Sequence, residues 1–173
     1  MTRILDDRSL DSLFRAFLPC RNWLDKPVSD AIIEAVWELA KLPPTASGVY
    51  PARIVFVRSK AAKGRLLPAL AVADRVGSAA APITAILGYE PAGPSADGWR
   101  DSTLQAGYLM VAARALGLDC APLTLADPAL VDREFFTDGR AKSNFACNLG
   151  YGHPDAPDRR ADGPAFEEAC RTI

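Results

Sequence analysis

Histidine is almost absent from this chain and cysteine is scarce: His153 stands alone, and Cys20, Cys120, Cys147 and Cys170 are scattered over 173 residues. No two cysteines form a CxxC pair, which argues for reduced thiols rather than a disulfide framework, and one histidine leaves no dedicated zinc site. A surplus of one charge is missing too. Lys+Arg number 20 against 21 Asp+Glu, a net charge of −1, so nothing draws the chain in bulk to nucleic acid or an anionic membrane. The least polar run, Leu66 to Ala73, is too short to span a bilayer, and Met1 to Arg8 turns charged too early for a signal peptide. A cytoplasmic protein without nucleic-acid or membrane partners is the expectation.

Several catalytic signatures are also missing. There is no Walker A sequence, no GxSxG and no HExxH. Gly150-Tyr151-Gly152 lacks the third glycine of a dinucleotide fingerprint, and a proline-rich segment follows it instead of a helix. Any Ser-His or Cys-His dyad must use His153, with Cys20 or Cys147 as partner, and nothing in the sequence brings these together. The carboxylate pairs Asp6-Asp7 and Glu167-Glu168 read as structural, the latter at a helix start that favours negative charge. Arg159-Arg160 reads as a solvated pair or a phosphate grip.

What is present is an apolar content of 49%, enough for one core in a single domain over residues 1–173, with 14 prolines punctuating apolar runs. Hydrophobic spacing predicts a short amphipathic helix from Ser9 to Phe17, then a stronger one after a Ser29 or Asp30 cap, with Ile32, Ile33, Val36, Trp37 and Ala40 on one stripe. Arg53 to Val57 reads as a strand. Lys60 to about Ala73 reads as a helix kinked or divided at Pro68, and Pro82 to Tyr89 as a strand buried on both faces. Glu90 to Gly98 is a flexible loop. A long helix then starts at an Asp101 or Ser102 cap and ends at Gly117, and its Ala106, Gly107, Ala112, Ala113 and Ala115 would let another element approach closely. A strand from Asp119 to Thr124, a helix from Pro128 to Phe135, a strand from Ser143 into the Gly150–Gly152 turn, and a helix from Ala165 to Arg171 complete an α+β or α/β pattern.

Taken in order, these segments resemble the nitroreductase-like flavoproteins, near the malonic-semialdehyde (3-hydroxypropanoate) reductase branch. The stretches that carry the resemblance include Trp23 with Lys26-Pro27-Val28-Ser29-Asp30, Pro44-Thr45 with Pro51-Ala52-Arg53-Ile54-Val55-Phe56, Ala81 to Ile86, Ser102 to Leu109, Ala113 to Asp119, Lys142-Ser143-Asn144 and Asn148 to Gly152. The resemblance implies an α+β fold, a mainly antiparallel sheet wrapped by helices, with the long central helix at a homodimer interface. It also implies FMN held between two subunits, NAD(P)H as reductant, and a small electrophile as substrate: a short-chain aldehyde, a nitro compound or a quinone. Carried over to this chain, Arg21, Arg53 and Arg160 are the candidates for phosphate and ribityl contacts. Ser47 and Gly48 would lie near the ring, and Asn144 and Gly150 near the cleft.

The chain departs from the family pattern where the flavin is gripped. Leu18-Pro19 stands where the family has arginine followed by Ser or Thr. Ala46-Ser47-Gly48 lacks the family asparagine, and the Asn-x-x-Lys of the next helix reads Asp74-Arg75-Val76-Gly77. Gly163 replaces an arginine, Pro122 to Ala126 replaces Pro-Met-Ser-Gly-Phe, and the insertion after the second strand is reduced to Glu90–Gly98. Arg21, Arg75 and Arg160 are the cations placed to compensate. Two readings follow. One is an FMN-dependent oxidoreductase. The other is a flavin-free relative whose cleft takes a different ligand, serves a partner subunit or hosts different chemistry.

Overall fold

The computed structural model describes residues 4–16, 20–45, 48–91, 97–153 and 162–173. Ser47 and Arg160, two of the candidate site residues, and Pro19 lie outside the described residues.

Four strands form one sheet in the order β1-β2-β4-β3, with β1 at Ala52–Val57, β2 at Ile83–Tyr89, β3 at Asp119–Leu123 and β4 at Lys142–Gly150. Every pairing is antiparallel, so the expected α+β class holds. β2 is apolar almost throughout because both of its faces are covered. Ile83, Ala85 and Leu87 belong to one core with Cys147 and Leu149 of β4, whereas Ile86 joins a second core with Ala146. The pleat alone sends alternate residues to opposite sides.

The first core is closed by α2 (Asp30–Ala40) and α5 (Gly98–Ala115), which contribute Val36, Ala40, Ala106, Leu109, Ala112 and Ala113. Ser29, not Asp30, caps α2 by accepting from the Ile32 N–H at 3.4 Å. α5 begins a turn earlier than the Asp101 or Ser102 cap predicts. The Ser102 hydroxyl donates to the Trp99 carbonyl instead, and Asp101 is buried inside the helix. Gly117, at φ +79°, ends α5 in the left-handed region as expected.

The second core lies under α3 (Lys60–Leu66), a 3-10 turn (Leu67–Ala69), α4 (Val72–Ala80) and α6 (Pro128–Phe135). The helix expected over Lys60–Ala73 is thus divided at Pro68, and a new helix runs on to Ala80. Arg75 fixes this break by donating to the Pro68 and Leu70 carbonyls, both at 3.1 Å, which the proline turn leaves without helical partners. The ends are shorter than the spacing predicts. Asp7–Leu10 is α-helical (α1) and Asp11–Arg15 a π-turn, while the last helix, α7, is only Phe166–Ala169. Phe14 stays half-exposed, so no apolar face of this first segment is buried deeply enough to propagate a regular helix.

Three of the small residues of α5 face inward, whereas Gly107 lies on its open face and Ala115 is exposed. Ala106, Ala112 and Ala113 are at most 6% exposed and pack within the chain, against α2 and the sheet. The open apolar face of α5 is a different one, made of Trp99, Leu104, Gly107, Tyr108 and Val111.

Candidate active site

Where β3 and β4 run beside α4, the second face of the sheet opens into a cleft of about 240 Å³. Three separate parts of the chain wall it: Cys20, Arg21 and Asn22 before the first core helix, Asp74, Val76 and Gly77 on α4, and Pro122 and Leu123 on β3. Asn148 of β4 also lines it. The sequence brings these together through backbone geometry. Cys20 N–H donates to the Cys120 carbonyl at 3.4 Å, and His153 N–H to the Asn22 carbonyl at 2.9 Å, so residues 20–22 run beside the ends of β3 and β4. At Gly152 a Cβ would come within 2.8 Å of Asp119 Oδ2 and 2.9 Å of Cys20 Sγ, so only glycine lets the strands close here. The Gly152 N–H donates to Asp119 Oδ2 at 2.8 Å, and Arg114 pairs with the same carboxylate. Gly77 is close-set too: a Cβ there would stand 3.3 Å from the Arg21 carbonyl oxygen.

The electrostatics of the cleft are sparse. Arg21 is exposed and makes no ion pair with any described residue. Asp74 supplies a carboxylate on the opposite wall. Asn148 is buried, its Oδ1 accepting from Thr84 Oγ1 at 2.6 Å and its Nδ2 donating to Ser78 Oγ at 3.0 Å. The Cys20 thiol donates to the Asn22 carbonyl at 2.9 Å.

The other candidates lie elsewhere. The Arg53 guanidinium, on edge strand β1, is paired with Glu90 at 2.8 Å and lines a separate groove with Phe135 and Phe136. Asn144 donates to Thr103 Oγ1 at 2.7 Å, beside the start of α5. Gly48 has φ +69° in the loop before β1. Gly150 is set by packing, since a Cβ there would come within 2.5 Å of Pro82 and 3.0 Å of Trp23. Arg75 is committed to the carbonyls of Pro68 and Leu70, which removes it as a compensating cation. Cys147 is fully buried in the first core beside Cys120, whose thiol is pushed well up by the Cys147 thiol and by burial. Neither thiol reaches the cleft, so of the two cysteines considered as nucleophiles only Cys20 borders it. In the sequence Asn148 is one polar position inside an apolar strand, and only the β2–β4 register, which sets it opposite Thr84, marks it as a site residue.

Comparison with known proteins places this arrangement. A model of the nitroreductase family matches residues 19–85. A proposed NADH dehydrogenase/NAD(P)H nitroreductase of Stenotrophomonas maltophilia is 40% identical, the match covering 99% of each chain, and one of Rhodopseudomonas palustris is 40% identical over the whole of both. The first alignment runs over 194 positions against 173 residues here, so that relative carries insertions this chain lacks. Among solved structures, the nitroreductase YdfN of Bacillus subtilis superposes with a TM-score of 0.85 at 14% identity, covering 97% of this chain and all of that one. A nitroreductase from Exiguobacterium sibiricum in complex with FMN superposes at 0.83 and 16% identity over the full length of both. Full-length identity at this level, on this fold, is decisive: the chain belongs to the nitroreductase family.

Proposed function

We propose that the protein is an FMN-dependent NAD(P)H oxidoreductase of nitroreductase type, reducing a small electrophile such as a short-chain aldehyde, a nitro compound or a quinone. The observation that carries this reading is the convergence at one cleft. Arg21, the Asp74–Gly77 stretch of α4 and Pro122-Leu123 stand at or beside three separate places where the family pattern has flavin contacts, lie some fifty residues apart in the chain, and meet around the same space. The names of the relatives support the reductant, and the malonic-semialdehyde branch remains part of the proposal for the substrate.

The residues present fit the cofactor. Arg21 is a guanidinium with no described anionic partner, suited to a phosphate. Pro122 and Leu123 give an apolar wall for a planar ring, the close approach at Gly77 leaves backbone at the surface of the cleft, and Asn148 adds an amide. FMN, when bound, supplies hydride transfer at its ring, so no side chain of this protein has to act as the catalytic acid. The chain's own part is to bind, to orient and to exclude water. Arg21 holds the anionic end, the wall of β3 orients the ring, and Asn148 hydrogen-bonds to an acceptor on the polar edge.

A cleft of 240 Å³ falls short of the roughly 300–1,000 Å³ usual for a small-molecule site. A homodimer is a separate part of the proposal. The open face of α5 suits it: Trp99, Leu104 and Val111 are 57%, 41% and 37% exposed in one contiguous strip. The Tyr108 hydroxyl donates to the Pro44 carbonyl at 3.3 Å and ties the loop before β1 to this face. Homodimerisation is therefore part of the proposal, through this strip and not through the buried alanines. Leu104→Glu should convert a dimer seen by light scattering into a monomer; a monomeric unsubstituted protein would remove the dimer.

One observation favours the flavin-free reading. Asp74 puts a carboxylate in the same cleft, where it opposes a dianionic phosphate, and Arg21 is the one guanidinium among the described lining residues. The visible spectrum of the purified protein, repeated after incubation with FMN and desalting, separates the two. Flavin bands stoichiometric with subunits, followed by NAD(P)H oxidation, support the oxidoreductase. A colourless protein that cannot retain FMN supports the flavin-free relative.

A further inference from the structure

The cleft has a polar floor whose wiring the proposed function does not use. Lys63, on α3, is only 5% exposed, and no described carboxylate pairs with it. Its ammonium donates to the Ser78 carbonyl at 2.6 Å, the Ala81 carbonyl at 2.9 Å and Thr84 Oγ1 at 2.8 Å. An ammonium has three donors and no acceptor, so the Thr84 oxygen must accept here. The single hydroxyl hydrogen of Thr84 is then free for Asn148 Oδ1, 2.6 Å away. With Oδ1 fixed on that side, Nδ2 is the atom that meets Ser78 Oγ, at 3.0 Å.

The direction of every bond in this chain thus follows from the lysine. Lys63, Thr84, Asn148 and Ser78 close a ring that joins α3, α4, β2 and β4, and each of the four is at most 5% exposed. A flipped Asn148 amide would turn an N–H donor, in place of an acceptor, toward the Thr84 hydroxyl. It would also leave the Thr84 hydrogen without an acceptor in a buried site, where an unsatisfied polar group is costly. In the orientation seen, one amide N–H of Asn148 is committed to Ser78, and no described residue takes the other.

We propose that Lys63 is a positioning residue for the cleft: through Thr84 it holds the Asn148 amide in one orientation, with an Nδ2 N–H left over for a ligand. The cleft floor thus offers a ligand a hydrogen-bond donor. This rests on the reading of the cleft as the binding site, and it concerns a residue that touches no ligand itself. Burial lowers the Lys63 pKa to about 8, which leaves the ammonium form in the majority at neutral pH.

The test compares Thr84→Val, which removes the relay and keeps the shape, with Thr84→Ser, which keeps the hydroxyl. Two readouts are taken: water exchange of the Asn148 side-chain amide by NMR in the ligand-free protein, and FMN affinity by quenching of flavin fluorescence. Thr84→Val should speed the amide exchange and weaken FMN binding by about tenfold each, the size of one lost hydrogen bond. Thr84→Ser should restore both, a rescue that a merely structural role would not give. Lys63→Met should reproduce Thr84→Val, and it carries the test if the valine variant does not fold. Unchanged amide exchange in the folded valine or methionine variant overturns the proposal. Failure of the unsubstituted chain to bind FMN ends the flavin reading alone, because the exchange comparison still decides this one.

Discussion

The two faces of the sheet are made from the same strands and built on opposite rules. Toward α2 and α5, β2 and β4 present Ile83, Ala85, Leu87, Cys147 and Leu149, and the space is filled by aliphatic side chains. One residue along each strand, the alternation turns Thr84 and Asn148 to the other side, where they meet Lys63 and Ser78. The first face is packed as one aliphatic core. The second has an aliphatic core of its own around Ile86 and Ala146, and it also carries a hydrogen-bonded ring with the cleft beside it. A close-packed core gives stability with no place for a ligand, whereas buried polar groups give direction to whatever enters.

Substitutions can break this contrast from either side. The largest effect belongs to the packed face. Leu109→Ala, at a fully buried position on α5, should cost about 2–5 kcal/mol in urea unfolding while the folded fraction keeps its FMN affinity. A parallel loss of affinity would show that the two faces are not independent.

The polar face should reveal itself through pH. The Lys63 pKa is lowered from 10.5 to about 8 in the folded protein. Between those values the unfolded chain still holds a proton that the folded one has released, so stability rises with pH across that window and is flat in this group below it. Against Lys63→Met, which has no such proton, the gain should reach up to about 3 kcal/mol. Urea titrations of both proteins from neutral to alkaline pH measure it; identical pH profiles would mean that Lys63 titrates normally.

Smaller in stability but sharper in function is Arg21→Ala. The side chain is exposed and without an ion-pair partner among the described residues, so stability should move by less than about 0.5 kcal/mol. FMN affinity should fall by about 1.5–3 kcal/mol, the worth of a hydrogen bond to a charged group, as read by fluorescence titration. The smallest change is expected from Arg53→Ala. Its pair with Glu90 is partly exposed and worth about 0–1 kcal/mol, and its groove is separate from the cleft. Equal losses of FMN affinity in the two variants would place Arg53 at the site after all.

Much of the fold was legible in the sequence because local rules agreed with the tertiary outcome. The α6 bounds match the residues between the Asp127 cap, which accepts from the Leu130 N–H at 2.9 Å, and Phe135. The double-faced character of β2 was visible in its unbroken apolar run, and the stop of α5 in Gly117. The misreadings share one cause, which is that spacing reports amphipathicity but not what lies opposite. Ala106, Ala112 and Ala113 of α5 suit an interface by their size, yet α2 and the sheet cover them within the chain. Arg75 was read as a spare cation, yet the break at Pro68 exposes two carbonyls that bind it.

By itself, the sequence determined most of the order of helices and strands, the Ser29 and Asp127 caps and the Gly117 stop, and the family, since these are written in local pattern and full-length similarity. Only the tertiary structure decided that Arg21, Asp74, Pro122 and Asn148 share one cleft while Arg53 and Asn144 stand apart. Strand register and sheet order bring residues far apart in the chain to within hydrogen-bonding distance, and no local pattern encodes that pairing. The orientation of the Asn148 amide was decided later still, by a lysine eighty-five positions away in the chain whose ammonium can only donate.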